Sequence, residues 1–225
     1  PPPAWTGLMI DRAQAPAVDG RLDDPVWARA EQTAAFVGMW GGAVDPEIAK
    51  VRFVCDGQWL YIAFRASEAN MRDDHVEGIE FCVAPLPESD EFAQSLVMFK
   101  GKTITRRGVA RFQIPNTDWK TAYEVYDDHF VIELALPIDQ LFMTPPKRGD
   151  VFEFNVSRQR KQDGTDDSWD IWVWSAGGSS PGNRSRFGEV VFCDLACVLA
   201  TMRKDLQSAL TAARERLRLR YCPAR

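Results

Sequence analysis

Residues 50–66 read Lys50-Val51-Arg52-Phe53-Val54-Cys55-Asp56-Gly57-Gln58-Trp59-Leu60-Tyr61-Ile62-Ala63-Phe64-Arg65-Ala66. Two runs rich in β-branched and aromatic side chains, 50–55 and 59–66, flank Asp56-Gly57. That dipeptide is well suited to a tight turn between antiparallel strands, because glycine takes the positive φ the turn needs. The stretch therefore predicts a β-hairpin, the strongest such signal in the chain.

Further strands follow on both sides. Residues 79–84 and 92–99 are strand-like and are separated by a polar, proline-containing loop. Residues 120–126 and 129–136 read as a second hairpin around Asp127-Asp128, and Pro137 to Leu141 as one helical turn. Residues 151–158, 170–174 and 189–192 complete the series. Nine or ten short strands divided by turns predict an all-β, antiparallel β-sandwich of immunoglobulin-like type. Upstream, residues 1–18 are rich in proline and alanine and are read as extended or irregular. Asp24 is placed to cap a short helix with Pro25 at its first position, a helix that would bury Val26, Trp27 and Ala30.

Residues 195–219 differ from the rest. Leu195, Leu199, Met202, Leu206, Leu210, Ala213 and Leu217 recur every three or four positions, which predicts a C-terminal amphipathic α-helix roughly 37 Å long. The expected domains are thus a sandwich over 1–193 and a helix over 194–225. The helix would pack on the sandwich or mediate a homodimer through residues 195–219.

Composition narrows the function. With 225 residues, 45% of them hydrophobic, the chain is not disordered. It has no apolar run of about 18 residues, so no membrane-spanning helix is expected. Only His75 and His129 are present, which leaves little room for a histidine-based zinc site or a relay of several imidazoles. The net charge of −5 is unevenly spread. Residues 198–225 carry seven basic and two acidic groups, so residues 1–197 carry −10. An acidic body argues against nucleic acid as a partner and fits a neutral ligand or a cation. The five cysteines, Cys55, Cys82, Cys193, Cys197 and Cys222, form no CxxC pair. Cys55 and Cys82 read as buried thiols, and Cys193 and Cys197 could meet if a helix has begun there. No secretory signal is visible, and the start at Pro1-Pro2-Pro3 looks like a trimmed or mature beginning.

There is no GxSxG, HExxH or glycine-rich phosphate loop. Carboxylates are plentiful, so a two-carboxylate hydrolase is not excluded, but no motif supports one. The richest local signal is Trp169-Asp170-Ile171-Trp172-Val173-Trp174. On a strand, Trp172 and Trp174 share a face with Asp170, and Ile171 and Val173 share the other. If the aliphatic pair faces the core, both Trp rings stand outside beside Ser175-Ala176-Gly177-Gly178, free to stack on a sugar ring. If the Trp side faces the core, the stripe is ordinary packing. Asp19, Asp23 and Asp24, the pair Asp73-Asp74, and Asp166, Asp167 and Asp170 are candidate calcium ligands or simply turn residues. His75 and Met71, four apart, are candidate haem ligands or surface groups.

The order of five segments resembles family 9 carbohydrate-binding modules and their DOMON-like relatives. Val18-Asp19-Gly20-Arg21-Leu22-Asp23-Asp24-Pro25-Val26-Trp27 resembles the family's opening motif. Trp59 to Phe64 resembles the second strand, Ile79-Glu80-Phe81 a middle strand, and Phe154 to Arg158 a late strand. Trp174-Ser175 through Arg186-Phe187-Gly188 resembles the closing segment. The match runs over about residues 15–193.

The resemblance implies a non-catalytic β-sandwich that binds an oligosaccharide or a polysaccharide end, alone or attached to a carbohydrate-active enzyme. It implies a secreted or periplasmic location and, in some members, structural calcium. It implies that two Trp clamp a terminal sugar, with Trp174 matching one clamp position and Trp172 beside it. Glu80 matches the acidic residue of the middle strand. Glu80, Arg158 and Gln94 are expected to bond hydroxyls. Asp73-Asp74-His75 stands where the other clamp Trp would precede the middle strand, and Met98-Phe99 where a polar side chain is usual. Trp40, Trp119 and Trp169 are the remaining substitutes. Two other functions stay open: a sandwich acting as an interaction or assembly module through its C-terminal helix, and a haem-binding DOMON-like electron carrier.

Overall fold

A computed structural model describes residues 4–33, 36–39, 48–67, 76–84, 92–100, 103–111, 119–141, 145–161, 169–175 and 182–194. Twelve strands are present among them: β1 Ala4–Met9, β2 Val37–Gly38, β3 Ala49–Cys55, β4 Trp59–Ser67, β5 Val76–Ala84, β6 Phe92–Lys100, β7 Thr103–Arg111, β8 Lys120–Val125, β9 His129–Pro137, β10 Val151–Lys161, β11 Trp169–Val173 and β12 Gly188–Cys193. Helix α1 spans Pro25–Arg29 and α2 spans Ile138–Leu141.

The hydrogen-bonded order is β7-β6-β5-β10-β12-β1-β3-β4-β9-β8, with β11 on β10 and β2 on β11. This ribbon doubles back on itself. Phe53 of β3 meets Phe154 of β10 at 4.8 Å between ring centres, and Phe64 of β4 meets Phe81 of β5 at 6.0 Å. Neither pair lies on neighbouring strands, so β3, β4, β8 and β9 form one layer of a sandwich and β5, β6, β7, β10 and β12 the other. The expected all-β sandwich is what the chain forms. The segment predicted as a C-terminal helix and dimer surface lies outside the described residues, as do the candidate haem ligands Met71 and His75.

Three strands were not foreseen. The proline-rich start contains β1, which pairs in parallel with β12 (Ala4 to Leu8 against Glu189 to Cys193) and then with β3 (Leu8 and Met9 against Val54 and Cys55). It thereby bridges the two layers at their shared edge. Parallel pairing at this point departs from the purely antiparallel expectation. Of the other two, β7 continues the hairpin begun by β6, and the two-residue β2 pairs with β11.

Between the layers lies a core from alternating positions of each strand, including Val51, Phe53, Ile62, Phe64, Ile132 and Leu134 on one side and Ile79, Phe81, Phe152, Phe154, Val190 and Phe192 on the other. Period-two burial of this kind is what a two-layer sheet imposes. The thiol of Cys55 is also buried there, and burial pushes it up to about 12, so it stays protonated. Asp56 closes the first hairpin. Its carboxylate accepts hydrogen bonds from the backbone N–H groups of Gln58 and Trp59 and from the Tyr61 hydroxyl, while Arg12 pairs with it at 2.7 Å.

A second apolar cluster covers the outer face of the first layer. Val26, Trp27 and Ala30 of the α1 region pack on Val54, Tyr61, Ala63 and Ala135. Asp24 precedes this helix but does not cap it with its side chain; its carboxylate instead accepts from the backbone N–H of Ala17 at 2.9 Å. What anchors the segment is Glu133, a lone acid on β9 only 1% exposed. One of its oxygens accepts from the N–H groups of Asp19 and Gly20, at 3.0 and 2.7 Å, and the other from the Trp27 indole at 2.7 Å. The sequence stretch from Asp19 to Trp27 is thus a cradle built around one buried carboxylate.

Gly20 in that cradle has φ +88°, and a Cβ there would stand 2.4 Å from the carbonyl carbon of Tyr123. The obstacle is backbone, which cannot swing aside. Gly20→Ala is expected to lose about 2–4 kcal/mol, combining left-handed strain with overpacking. A urea titration against the wild type measures it, and a loss under 1 kcal/mol would contradict the close approach.

Candidate functional site

The five residues expected to touch a ligand divide between the two faces of the second layer. Across an antiparallel pair, residues in register share a face, and successive residues alternate. Phe154, Val156 and Arg158 of β10 point inward, with Trp172 opposite Arg158. Ser157 and Gln159 point outward, and Glu80 is in register with Ser157. The sheet itself therefore separates Arg158, Trp172 and Trp174 from Glu80 and Gln94. They cannot form one site.

The inward group is structural. Trp174 is 4% exposed and packs on Phe53 and Phe154 at 6.3 and 5.9 Å between ring centres. No ring face is open to a sugar, so the stacking role expected of Trp174 is corrected to a core role. The pattern arises because the Trp side of β11 faces the core, while Ile171 and Val173 face outward with Gln159 and Ser157. Its neighbour Ser175 is tied to β10 through Asn155, whose side-chain oxygen accepts from the Ser175 N–H at 3.1 Å.

Arg158 is likewise corrected from ligand contact to internal clamp. It is fully buried and forms a two-pronged pair with the equally buried Glu77 of β5, with Nε to Oε2 at 2.9 Å and Nη2 on Oε1. Its Nη1 donates to the carbonyls of Ile48 at 2.9 Å and Ser67 at 2.7 Å, beside the start of β3 and at the end of β4. One guanidinium thus fastens the second layer to the first. The rings of Phe130 and Trp172 lie 5.5 and 5.7 Å from its centre, supplying negative π faces in place of water. Trp172 is half-buried, and Arg160 also lies over its ring, at 5.8 Å.

The outward group is what the structure brings together. Glu80 on β5 is partly exposed, and Gln94 on β6, 6% exposed, donates its side-chain amide to Glu80 Oε1. On the other flank Gln159 of β10 donates to Glu80 Oε2 at 3.1 Å and to the Ser157 hydroxyl at 3.2 Å. The result is a carboxamide-carboxylate-carboxamide row running across three strands. Planar groups of this kind, fixed by one another, present donors and acceptors at set angles to a polyhydroxylated ligand. Gln159 was missed in the sequence because a lone glutamine in Arg158-Gln159-Arg160-Lys161 carries no motif; only the register places it beside Glu80. Of the Trp residues weighed as substitutes, Trp119 is a core residue at 6% exposure, and Trp40 lies outside the described residues. Trp169 is half-buried, opposite Lys161, on the same outward face as Gln159.

Among the described residues, no three or more His, Cys, Asp or Glu gather in a way that could hold a metal. Asp19 and Asp24 accept hydrogen bonds from backbone N–H groups, at Arg21 and Ala17, as turn residues do. Asp73, Asp74, Asp166 and Asp167 lie outside the described residues. No helix among the described residues is long and apolar enough to cross a membrane. Cys193 is disulfide-bonded, while Cys55 and Cys82 are not in a disulfide.

The layered order gives a two-layer sandwich with the fold of family 9 carbohydrate-binding modules. More particularly, the chain is similar to a family 9 carbohydrate-binding module from Caldicellulosiruptor kristjanssonii solved with cellotriose. That match has 14% identity and a TM-score of 0.64, and covers 84% of this chain and 93% of the other. The same module solved with glucose matches at 14% identity and TM-score 0.64, over 85% and 95%. A structure described as a putative carbohydrate-binding protein from Bacteroides uniformis matches at 14% identity and TM-score 0.55, over 85% and 100%. At this identity the likeness establishes the fold. No protein-family profile and no curated protein sequence matches the chain.

Proposed function

We propose that this protein is a non-catalytic carbohydrate-binding module whose ligand lies on the outward face of the second layer. The observation that carries the reading is the row Gln94-Glu80-Gln159, two of whose members were singled out from the sequence and which only the fold unites. Both oxygens of Glu80 are held by side-chain amides, an arrangement that orients a hydrogen-bond acceptor. A hydroxyl bonded to a charged group in such a setting contributes about 1.5–3 kcal/mol. The neighbouring structures, themselves solved with cellotriose and glucose, support the same ligand class. A secreted or periplasmic setting fits the disulfide at Cys193, since such bonds persist in oxidising compartments.

The test is a glycan array followed by calorimetry on the best ligand. Wild type is expected to bind, and Glu80→Ala to weaken binding by about tenfold or more while its melting temperature changes little. Absence of binding to every glycan, or unchanged affinity in folded Glu80→Ala, rejects the proposal.

A further inference from the structure

We infer that the outer face of the first layer carries an anion site, in which Arg52 and Arg65 grip a phosphate- or sulfate-type oxyanion. It lies on the opposite side of the sandwich from the Glu80 row and is independent of it. Val54 of β3 and Tyr61 and Ala63 of β4 face outward beneath the α1 region. Lys50 and Arg52 share the parity of Val54, and Arg65 that of Tyr61 and Ala63, so all three cations stand on that same face. Lys50 is in register with Arg65, and Arg52 with Ala63. Side chains directly opposite sit about 5 Å apart at Cβ and diagonal ones about 7–8 Å, which makes a tight triangle of positive charge. Like charges so placed repel and cost stability.

No ion pair among the described residues offsets that repulsion at the two arginines, each of which is half-buried. Arg52 donates Nη2 to Gln32 Oε1 at 2.6 Å, but its Nε has no acceptor. Arg65 makes no hydrogen bond among the described residues. Burial and the nearby charge of Arg65 pull Arg52 below its ordinary value. The acids of this face are engaged elsewhere or set apart. Glu31 accepts from the Thr6 hydroxyl, Asp128 is bonded to His129 at 2.6 Å, and Glu133 holds the cradle. Glu124 stands two strands from Arg65, across Val131. Two guanidinium forks without a carboxylate match an oxyanion, which takes parallel N–H donors on adjacent oxygens. An oxyanion between them cancels the repulsion and supplies the acceptors both lack. The group is compact: α1 covers the neighbouring sheet, and Glu124 and Asp128 repel an extended polyanion. It arrives as a free ion or as an ester on a sugar.

Titration calorimetry at low ionic strength, with inorganic phosphate and with glucose 6-phosphate, tests this. The proteins are wild type, Arg52→Gln, Arg65→Gln and, as a control, Lys147→Gln on an exposed stretch away from the site. Wild type should bind at least one probe with a Kd tighter than about 5 mM. Each arginine variant should weaken that binding about tenfold, roughly the loss of one hydrogen bond to a charged group. Lys147→Gln should bind as wild type does. Affinity for phosphate at least equal to that for glucose 6-phosphate identifies a free ion as the ligand; tighter binding of glucose 6-phosphate identifies the sugar ester. Phosphate should also raise the melting temperature of wild type more than that of Arg65→Gln. If Arg52→Gln fails to fold, Arg65→Gln and Arg52→Lys, which keeps the charge without the fork, still read the site. Binding of both probes weaker than about 5 mM, or affinity unchanged in the folded arginine variants, overturns the inference. Neither result bears on carbohydrate binding at the second layer.

Discussion

Arg158→Ala is expected to destabilise the protein by about 3–5 kcal/mol, a large share of the 5–15 kcal/mol that holds a domain of this size together. The substitution leaves the Glu77 carboxylate buried without its two-pronged partner and removes the donor shared by the Ile48 and Ser67 carbonyls. It also takes the cation away from the rings of Phe130 and Trp172. Lysine does not substitute, because a single ammonium cannot bond both carboxylate oxygens and both carbonyls from one planar fork. The double variant Arg158→Met with Glu77→Leu should cost clearly less than Arg158→Ala alone, because no charge is then left stranded. Chemical denaturation of the three proteins checks this. An Arg158→Ala loss below 1 kcal/mol, or a double variant worse than the single, would show that the pair is not the clamp described.

Glu133→Ala is the second large effect, about 3 kcal/mol or more. It strands the N–H groups of Asp19 and Gly20 and the Trp27 indole, of which the Gly20 and Trp27 donors are buried, and each buried unsatisfied group costs about 1–3 kcal/mol. The effect has a pH signature. Burial raises the Glu133 carboxyl above its ordinary value of 4.5, outweighing the donors that favour the charged form. A group whose pKa is higher in the folded than in the unfolded state contributes stability that is complete below the unfolded value. That stability is lost as pH rises through the folded value. The gap between wild type and Glu133→Ala should therefore widen as pH falls toward 4.5 and narrow toward neutrality. Denaturant titrations at three pH values measure the trend; a gap that shrinks on acidification contradicts it.

Much of the fold was legible because burial on one or both faces writes itself into composition. The run 59–66 and the run 129–136 are so apolar that only a core strand accommodates them, and Asp56-Gly57 names its own turn. Strand β7 escaped notice because Arg106-Arg107-Gly108 interrupts any alternation, and β1 because a proline-rich start masks six residues of strand. The site was half legible. Glu80 and Gln94 stand on a face the pattern can identify, but Trp172 and Trp174 alternate with Ile171 and Val173, and both sets are apolar enough to face a core. Hydrophobicity alone cannot choose between them; the register with Arg158 and Val156 does. Arg158 was noticed as chemistry and is architecture, since a charged residue in a buried strand signals importance without saying of which kind. Glu133, a single acid within an apolar strand, carried the same signal and was passed over.

The bridging strand β1 sets when the sandwich can close during synthesis. Its partners Glu189 to Cys193 lie in the last described strand of the sandwich, so the first described strand pairs with the last. At ordinary translation rates about ten to forty seconds separate the two. Throughout that interval the edge of β3 next to Val54 and Cys55 has only the tip of β1 to cover it, and neither layer is sealed against the other. Contacts this distant in sequence also slow the final step. The nascent sandwich therefore exposes its unsealed layers until β12 has been made, which is when a holding chaperone protects it most.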